Sequence, residues 1–198
     1  MMRLKLPHEV FELSDDDAVD CLCLISDYIE EDVSPYDIIK NLPEKCRLFG
    51  AYELGYYIGL STEFENRGSG VSMVQYMRLL SDDVESPIRG WIKLNKFDEK
   101  LRLNEDQIVN LMWIITQVCK IEEFLNVIKY CPDDVKVAGC FIIGYLDGLA
   151  DETMNPFVFR RRLNFLAWLR SACKDKGEVK SYFKRLRWEE MEARRDVV

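Results

Sequence analysis

Slid against itself by 89 residues, the chain matches without a gap, and the match repeats glycines inside what otherwise reads as helix. IIKNLPEKCRLFGAYELGYYIGLSTEFEN (38–66) lies over VIKYCPDDVKVAGCFIIGYLDGLADETMN (127–155). Between 39–66 and 128–155, 10 of 28 pairs are identical, including Pro43/Pro132, Gly50/Gly139, Gly55/Gly144, Tyr56/Tyr145, Gly59/Gly148 and Glu63/Glu152. Unrelated sequence gives about two. Asp17/Asp106, Leu22/Leu111 and Ile25/Ile114 continue the register upstream, and Val74, Tyr76, Met77 and Leu80 fall on Leu163, Phe165, Leu166 and Leu169 downstream. With a shift of two more residues, WIKLNKFDE (91–99) falls on YFKRLRWEE (182–190). This pattern predicts an internal duplication: two tandem repeats, residues 1–101 and 102–198, packed as one compact unit with pseudo-twofold or superhelical symmetry.

The repeats are expected to be helical. Strand-like alternation is scarce, and helix start signals recur. Ser14 precedes Asp15, Asp16 and Asp17, an N-cap with acidic residues in the first turn, so a helix is predicted through Ile29. Ser34-Pro35 starts a short helix to Leu42, because proline suits the first helical position. Pro43 and Pro132 each stop one helix and open the next, predicting helices over 44–60 and 133–150. Asn104 with Gln107 resembles a capping box, before one long helix through Tyr130. Further helices are predicted over 71–80, from Pro87 through Phe97, and over 156–175 and 178–194. The fold class is therefore all-α.

The glycines need a reason. Tyr52, Gly55, Tyr56, Gly59 and Glu63 share one helix face, as do Phe141, Gly144, Tyr145, Gly148 and Glu152. Each interior glycine costs a helix roughly 1 kcal/mol against alanine, so Gly55, Gly59, Gly144 and Gly148 together cost about 4 kcal/mol. Close approach of two backbones would offset that. Either the two glycine helices cross each other, as in a fused homodimer, or each crosses the first helix of its own repeat. We expect the second arrangement.

Seven cysteines, no C-x-x-C spacing and mostly apolar surroundings point to buried reduced thiols and a cytoplasmic protein. MMRLKLPHEVFEL lacks the long apolar core of a secretory signal. The longest apolar runs, such as LMWII, fall far short of the roughly 20 residues a spanning helix needs, which excludes integral membrane association.

Little points to catalysis. The one histidine, His8, stands near a terminus, where chains are often poorly ordered. There is no Cys/His spacing for a metal and no glycine-rich nucleotide motif, so no metal and no cofactor are expected. Asp147, Asp151 and Glu152 cluster on or just past one predicted helix, but Asp147 has Ile58 as its repeat partner and no paired carboxylate motif appears. NRGSG (66–70) has no counterpart in the second copy. No enzyme is expected.

Charge is the remaining signal. The net charge is −8, yet residues 157–198 carry 12 basic and 6 acidic side chains, against 15 basic and 29 acidic before them. The acidic candidates for binding a protein partner are Asp15, Asp16, Asp17, Asp20, Asp27, Glu30, Glu31 and Asp32, on one helix and its exit. The basic candidates are Arg160, Arg161, Arg162, Arg170, Lys180, Lys184, Arg185 and Arg187, interleaved with Tyr182, Phe183 and Trp188. Cations among aromatics suit phosphates and bases, an acidic protein or an anionic membrane surface. The plainer expectation is that these aromatics belong to the core and the arginines face the acidic half or solvent. The leading functional expectation is an adaptor or inhibitor, such as a toxin-neutralising or defence-blocking protein, that binds a protein partner through charged helical surfaces. The alternative is a regulatory nucleic-acid-binding protein using residues 160–188.

Overall fold

The computed structural model describes residues 7–30, 33–61, 89–90, 92–93, 96–118, 121–154, 177, 180–181 and 183–184. Among these the regular structure is all helical. In chain order the elements are α1 (Pro7–Val10), α2 (Asp15–Glu30), α3 (Pro35–Asn41), a 3-10 turn (Glu44–Cys46), α4 (Arg47–Ser61), α5 (Phe97–Leu101), α6 (Glu105–Gln117), α7 (Ile121–Val127) and α8 (Asp133–Met154). The helices predicted over 71–80 and 156–175 lie outside the described residues.

Local chemistry sets the helix starts. Ser14 Oγ accepts the amide of Asp17, and Ser34 Oγ accepts that of Asp37 with Pro35 in the first turn. Asn104 and Gln107 form the full box: the Asn104 side chain accepts the Gln107 amide at 2.9 Å, and the Gln107 side chain accepts the Asn104 amide at 3.0 Å. Two orphan amides are satisfied reciprocally.

The helix expected to run unbroken from 104 to Tyr130 is two helices. α6 ends at Gln117, where Val118 turns extended (φ −108°, ψ 148°), and α7 starts at Ile121. No proline or glycine marks this break. Tertiary packing accounts for it: the bend lets Phe124 and Ile128 bury fully, with the Phe124 ring against Gly139.

α4 and α8 form the centre of the fold. α2 and α3 pack on α4, α6 and α7 pack on α8, and α5 bridges α3 and α6. The expectation that each glycine helix crosses the first helix of its own half is overturned at Gly55 and Gly144, because α4 and α8 cross each other there. A Cβ on Gly55 would overlap the carbonyl oxygen of Phe141 and lie 2.9 Å from its carbonyl carbon and 3.0 Å from Tyr145 N. A Cβ on Gly144 would overlap the carbonyl oxygen of Tyr52 and lie 3.0 Å from its Cα. The relation is reciprocal, and both obstacles are backbone. Contact within each half falls instead to Gly50, against Leu42, Cys21 and Ile25, and to Gly139, against Phe124 and Leu111. Gly59 and Gly148 are buried.

The same lead-in precedes α2 and α6. In each, a short helix (α1 or α5) runs into a left-handed residue, Glu12 (φ 59°) or Arg102 (φ 51°). A buried leucine follows, Leu13 or Leu103, and then the N-cap, Ser14 or Asn104. Arg102 also reaches α3, lying 4.4 Å over the Tyr36 ring and 3.5 Å from Asp37 Oδ1.

Candidate functional site

Three consecutive carboxylates open α2, and each meets a different part of the chain. Asp15 Oδ1 lies 2.9 Å from His8 Nε2, from α1. Asp16 pairs with Lys180. Asp17 accepts a 2.6 Å hydrogen bond from Lys45, on the 3-10 turn. Successive helix positions point about 100° apart, so one turn of acids can reach three neighbours. Their charge also suits the positive end of the helix dipole. The Lys45 ammonium, then the Ser14 hydroxyl, hold the Asp17 carboxyl below the usual aspartate range.

α6 begins in a similar way. Arg89 forks to Glu105 at 3.0 Å and Asp106 at 2.6 Å, and Lys93 approaches Glu105 at 3.7 Å. Asp106, like Asp16, remains largely exposed.

Beyond its first turn, α2 has a wet side and a dry side. Asp20 and Asp27 are exposed with Asp16, on one stripe by helical spacing, while Ala18, Cys21, Leu22 and Ile25 are buried. Glu30 is the last residue of α2, and Glu31 and Asp32 lie outside the described residues. Asp16 thus belongs both to the engaged first turn and to the exposed stripe that continues through Asp20 and Asp27.

Of the basic candidates, Lys180 and Lys184 are described, with helical backbone. Arg160, Arg161, Arg162, Arg170, Arg185 and Arg187 lie outside the described residues. Lys180 is on Asp16, Lys184 is exposed, and Phe183 is buried at 5 % exposure. The Phe183 ring lies 4.6 Å from the His8 ring, and Phe49 also packs on that ring at 6.3 Å. At these positions the basic end folds onto the acidic half, and its aromatic serves as core.

His8 is not at a loose end. It is 1 % exposed, against the expectation for a residue so near the terminus. Local sequence did not announce it: Phe49 and Phe183, which pack on its ring, lie 41 and 175 residues away.

Asp147 is an acceptor for Tyr52, whose hydroxyl donates to it at 2.9 Å across the α4–α8 crossing. The positions 89 residues away are Phe141 and Ile58, both apolar. The mismatch between Asp147 and Ile58 therefore travels with a second one, between Tyr52 and Phe141. The side chains of Asp151 and Glu152, and all of residues 66–70, lie outside the description. Among the described residues no group of three or more His, Cys, Asp or Glu side chains is arranged to hold a metal ion, and no helix is long and apolar enough to cross a membrane.

Four of the described thiols are packing groups. Cys21, Cys23, Cys46 and Cys140 are buried and not joined in disulfides. Burial pushes the Cys21, Cys46 and Cys140 thiols up, away from the thiolate form that nucleophilic chemistry needs.

No family model, no curated protein and no solved structure matches this chain.

Proposed function

We propose that the chain is a non-enzymatic protein-binding protein, an adaptor or inhibitor, whose docking surface is the outward stripe of α2. The observation that carries this reading is the stripe itself: Asp16, Asp20 and Asp27 stand exposed on a helix whose opposite side is anchored in the core. A partner with a basic face fits it. The groups best suited to catalysis are engaged otherwise, which supports the same reading. His8 packs on Phe49 and Phe183, Asp147 holds Tyr52, and burial favours the protonated form of the Cys21, Cys46 and Cys140 thiols. Buried thiols also support a reducing, cytoplasmic compartment.

In this reading the scaffold is a fused pair of duplicated units, residues 1–101 and 102–198. Support comes from the reciprocal crossing at Gly55 and Gly144, which lie 89 residues apart, and from the shared lead-in around Glu12 and Arg102.

The test is charge reversal. Asp16→Lys, Asp20→Lys and Asp27→Lys are combined, and partner capture is compared with that of the wild type at unchanged helix content. Loss of a defined partner supports the reading, and a partner that stays bound overturns it. Binding of labelled RNA or DNA at about 50 mM salt, abolished by substituting Arg160, Arg161 and Arg162, would replace it with the nucleic-acid alternative.

A further inference from the structure

Among the described residues two large hydrophobic side chains stand exposed, Val127 at 55 % and Tyr130 at 90 %. They are neighbours. Val127 ends α7, and Tyr130 lies three residues on, in the turn that leads to α8. Scattered apolar residues on a surface need no explanation, but this pair has a covered counterpart. In the register of 89, Ile38 and Ile39 correspond to Val127 and Ile128. Ile39 and Ile128 are both buried, whereas Ile38 is 2 % exposed against 55 % for Val127. The two helices differ in their cover. α3 packs on α4 and also on α5, and Arg102, just past α5, lies over the Tyr36 ring and beside Asp37. α7 packs on α8.

We propose that the outer face of α7, around Val127 and Tyr130, is a docking surface for a short basic amphipathic helix of a partner protein, which takes there the place that α5 takes on α3. This rests on the reading of the chain as a protein-binding protein, but on a surface other than the α2 stripe.

The surroundings set the chemistry of the occupant. Glu122 and Glu123 on α7, and Asp133 and Asp134 in the first turn of α8, are all exposed. The nearby cations are Lys129, 5.8 Å from the centre of the Tyr130 ring, and Lys136, which pairs with Asp133. An apolar anchor inside an acidic rim suits a helix with one apolar face and basic flanks. Tyrosine is a favoured anchor, because it offers a large rigid contact area and a hydroxyl for the wet edge. α5 and its flanks have the matching character: Phe97 and Leu101 are buried, and Lys93, Lys96, Lys100 and Arg102 outnumber Asp98 and Glu99.

The probe is therefore a labelled peptide with the sequence of residues 91–103, WIKLNKFDEKLRL, titrated into the full-length protein and followed by fluorescence anisotropy. It should bind, and more weakly as salt rises. Val127→Ser combined with Tyr130→Ser should weaken binding about tenfold or more. A peptide carrying Phe97→Ser and Leu101→Ser should lose a similar factor. The protein reversed at Asp16, Asp20 and Asp27 should still bind the peptide in a way that needs Val127 and Tyr130, so failure of the α2 stripe and failure here are read apart. No binding at low salt overturns the proposal. So does binding that ignores the two substitutions, which is general charge attraction or exchange with α5 on α3. A urea midpoint that falls further in the double variant than exposed substitutions cause gives the face to the chain's own residues. A dimer that the double variant dissolves gives it to a second copy. Either result also overturns the proposal.

Discussion

The peptide of Tyr52 occupies the space that a Cβ on Gly144 would need, and the peptide of Phe141 does the same at Gly55. Backbone cannot step aside as a side-chain tip can. Gly55→Ala and Gly144→Ala should each destabilise the protein by about 2–4 kcal/mol, overpacking outweighing the gain in helix propensity. Gly139→Ala should cost less, because its obstacle is the rim of the Phe124 ring. Gly90 is exposed helix with nothing within 4 Å, so Gly90→Ala should stabilise by about 0.5–1 kcal/mol. Urea midpoints at constant m-value check all four. Unchanged midpoints at Gly55 and Gly144 would refute the close crossing.

The hydrogen bond from Tyr52 to Asp147 gives the crossing a polar edge. Tyr52→Phe should cost about 0.5–1 kcal/mol, toward the low end for a hydrogen bond because Asp147 is exposed. Asp147→Ile imports the residue found at position 58. A double-mutant cycle of the two should show a coupling of about 0.5 kcal/mol or more. Additive effects would separate the two sites energetically.

Stability should fall in alkali. Cys21 and Cys140 have raised folded-state pKa values because both are buried. Above about pH 9 the unfolded thiols ionise while the folded ones keep their protons. The unfolded state then binds fewer protons, so rising pH favours it. Each thiol removes about 1.4 kcal/mol per pH unit in that range. Denaturant midpoints between pH 8 and 10, in the wild type and in Cys140→Ala, check the sign: the variant's slope should be shallower.

The Asn104 cap is the more complete of the two lead-ins. Asn104→Ala should cost about 1 kcal/mol, and Gln107→Ala less, since it removes only the return bond. Thermal melts of the two variants suffice.

What could be read in advance depended on how far the signal travels. Ser14, Ser34-Pro35 and Asn104 with Gln107 act within a turn of themselves, and the helices start where those residues say. The break after Gln117 has no local cause, because it serves the burial of Phe124, against Gly139 of α8, and of Ile128. Glycine spacing predicted a close crossing but not its partner, since a residue without a side chain carries no mark of what it faces. The acidic run before Ala18 was visible, yet its division was not. Lys45 and Lys180 lie 28 and 164 residues from the carboxylates they engage. The repeat register at 89 also hid the lead-in, because Glu12 and Arg102 are 90 apart.

A spacing fixed where backbone meets backbone has no intermediate settings. Side-chain contacts can be retuned one methyl at a time, but every residue except glycine brings the same Cβ to Gly55 and Gly144. The α4–α8 joint thus works like a rivet, either seated or forced open. Its dimensions do not depend on what the outer helices display. That leaves the exterior free to vary, as along the acidic stripe of α2, while α4 and α8 keep their alignment.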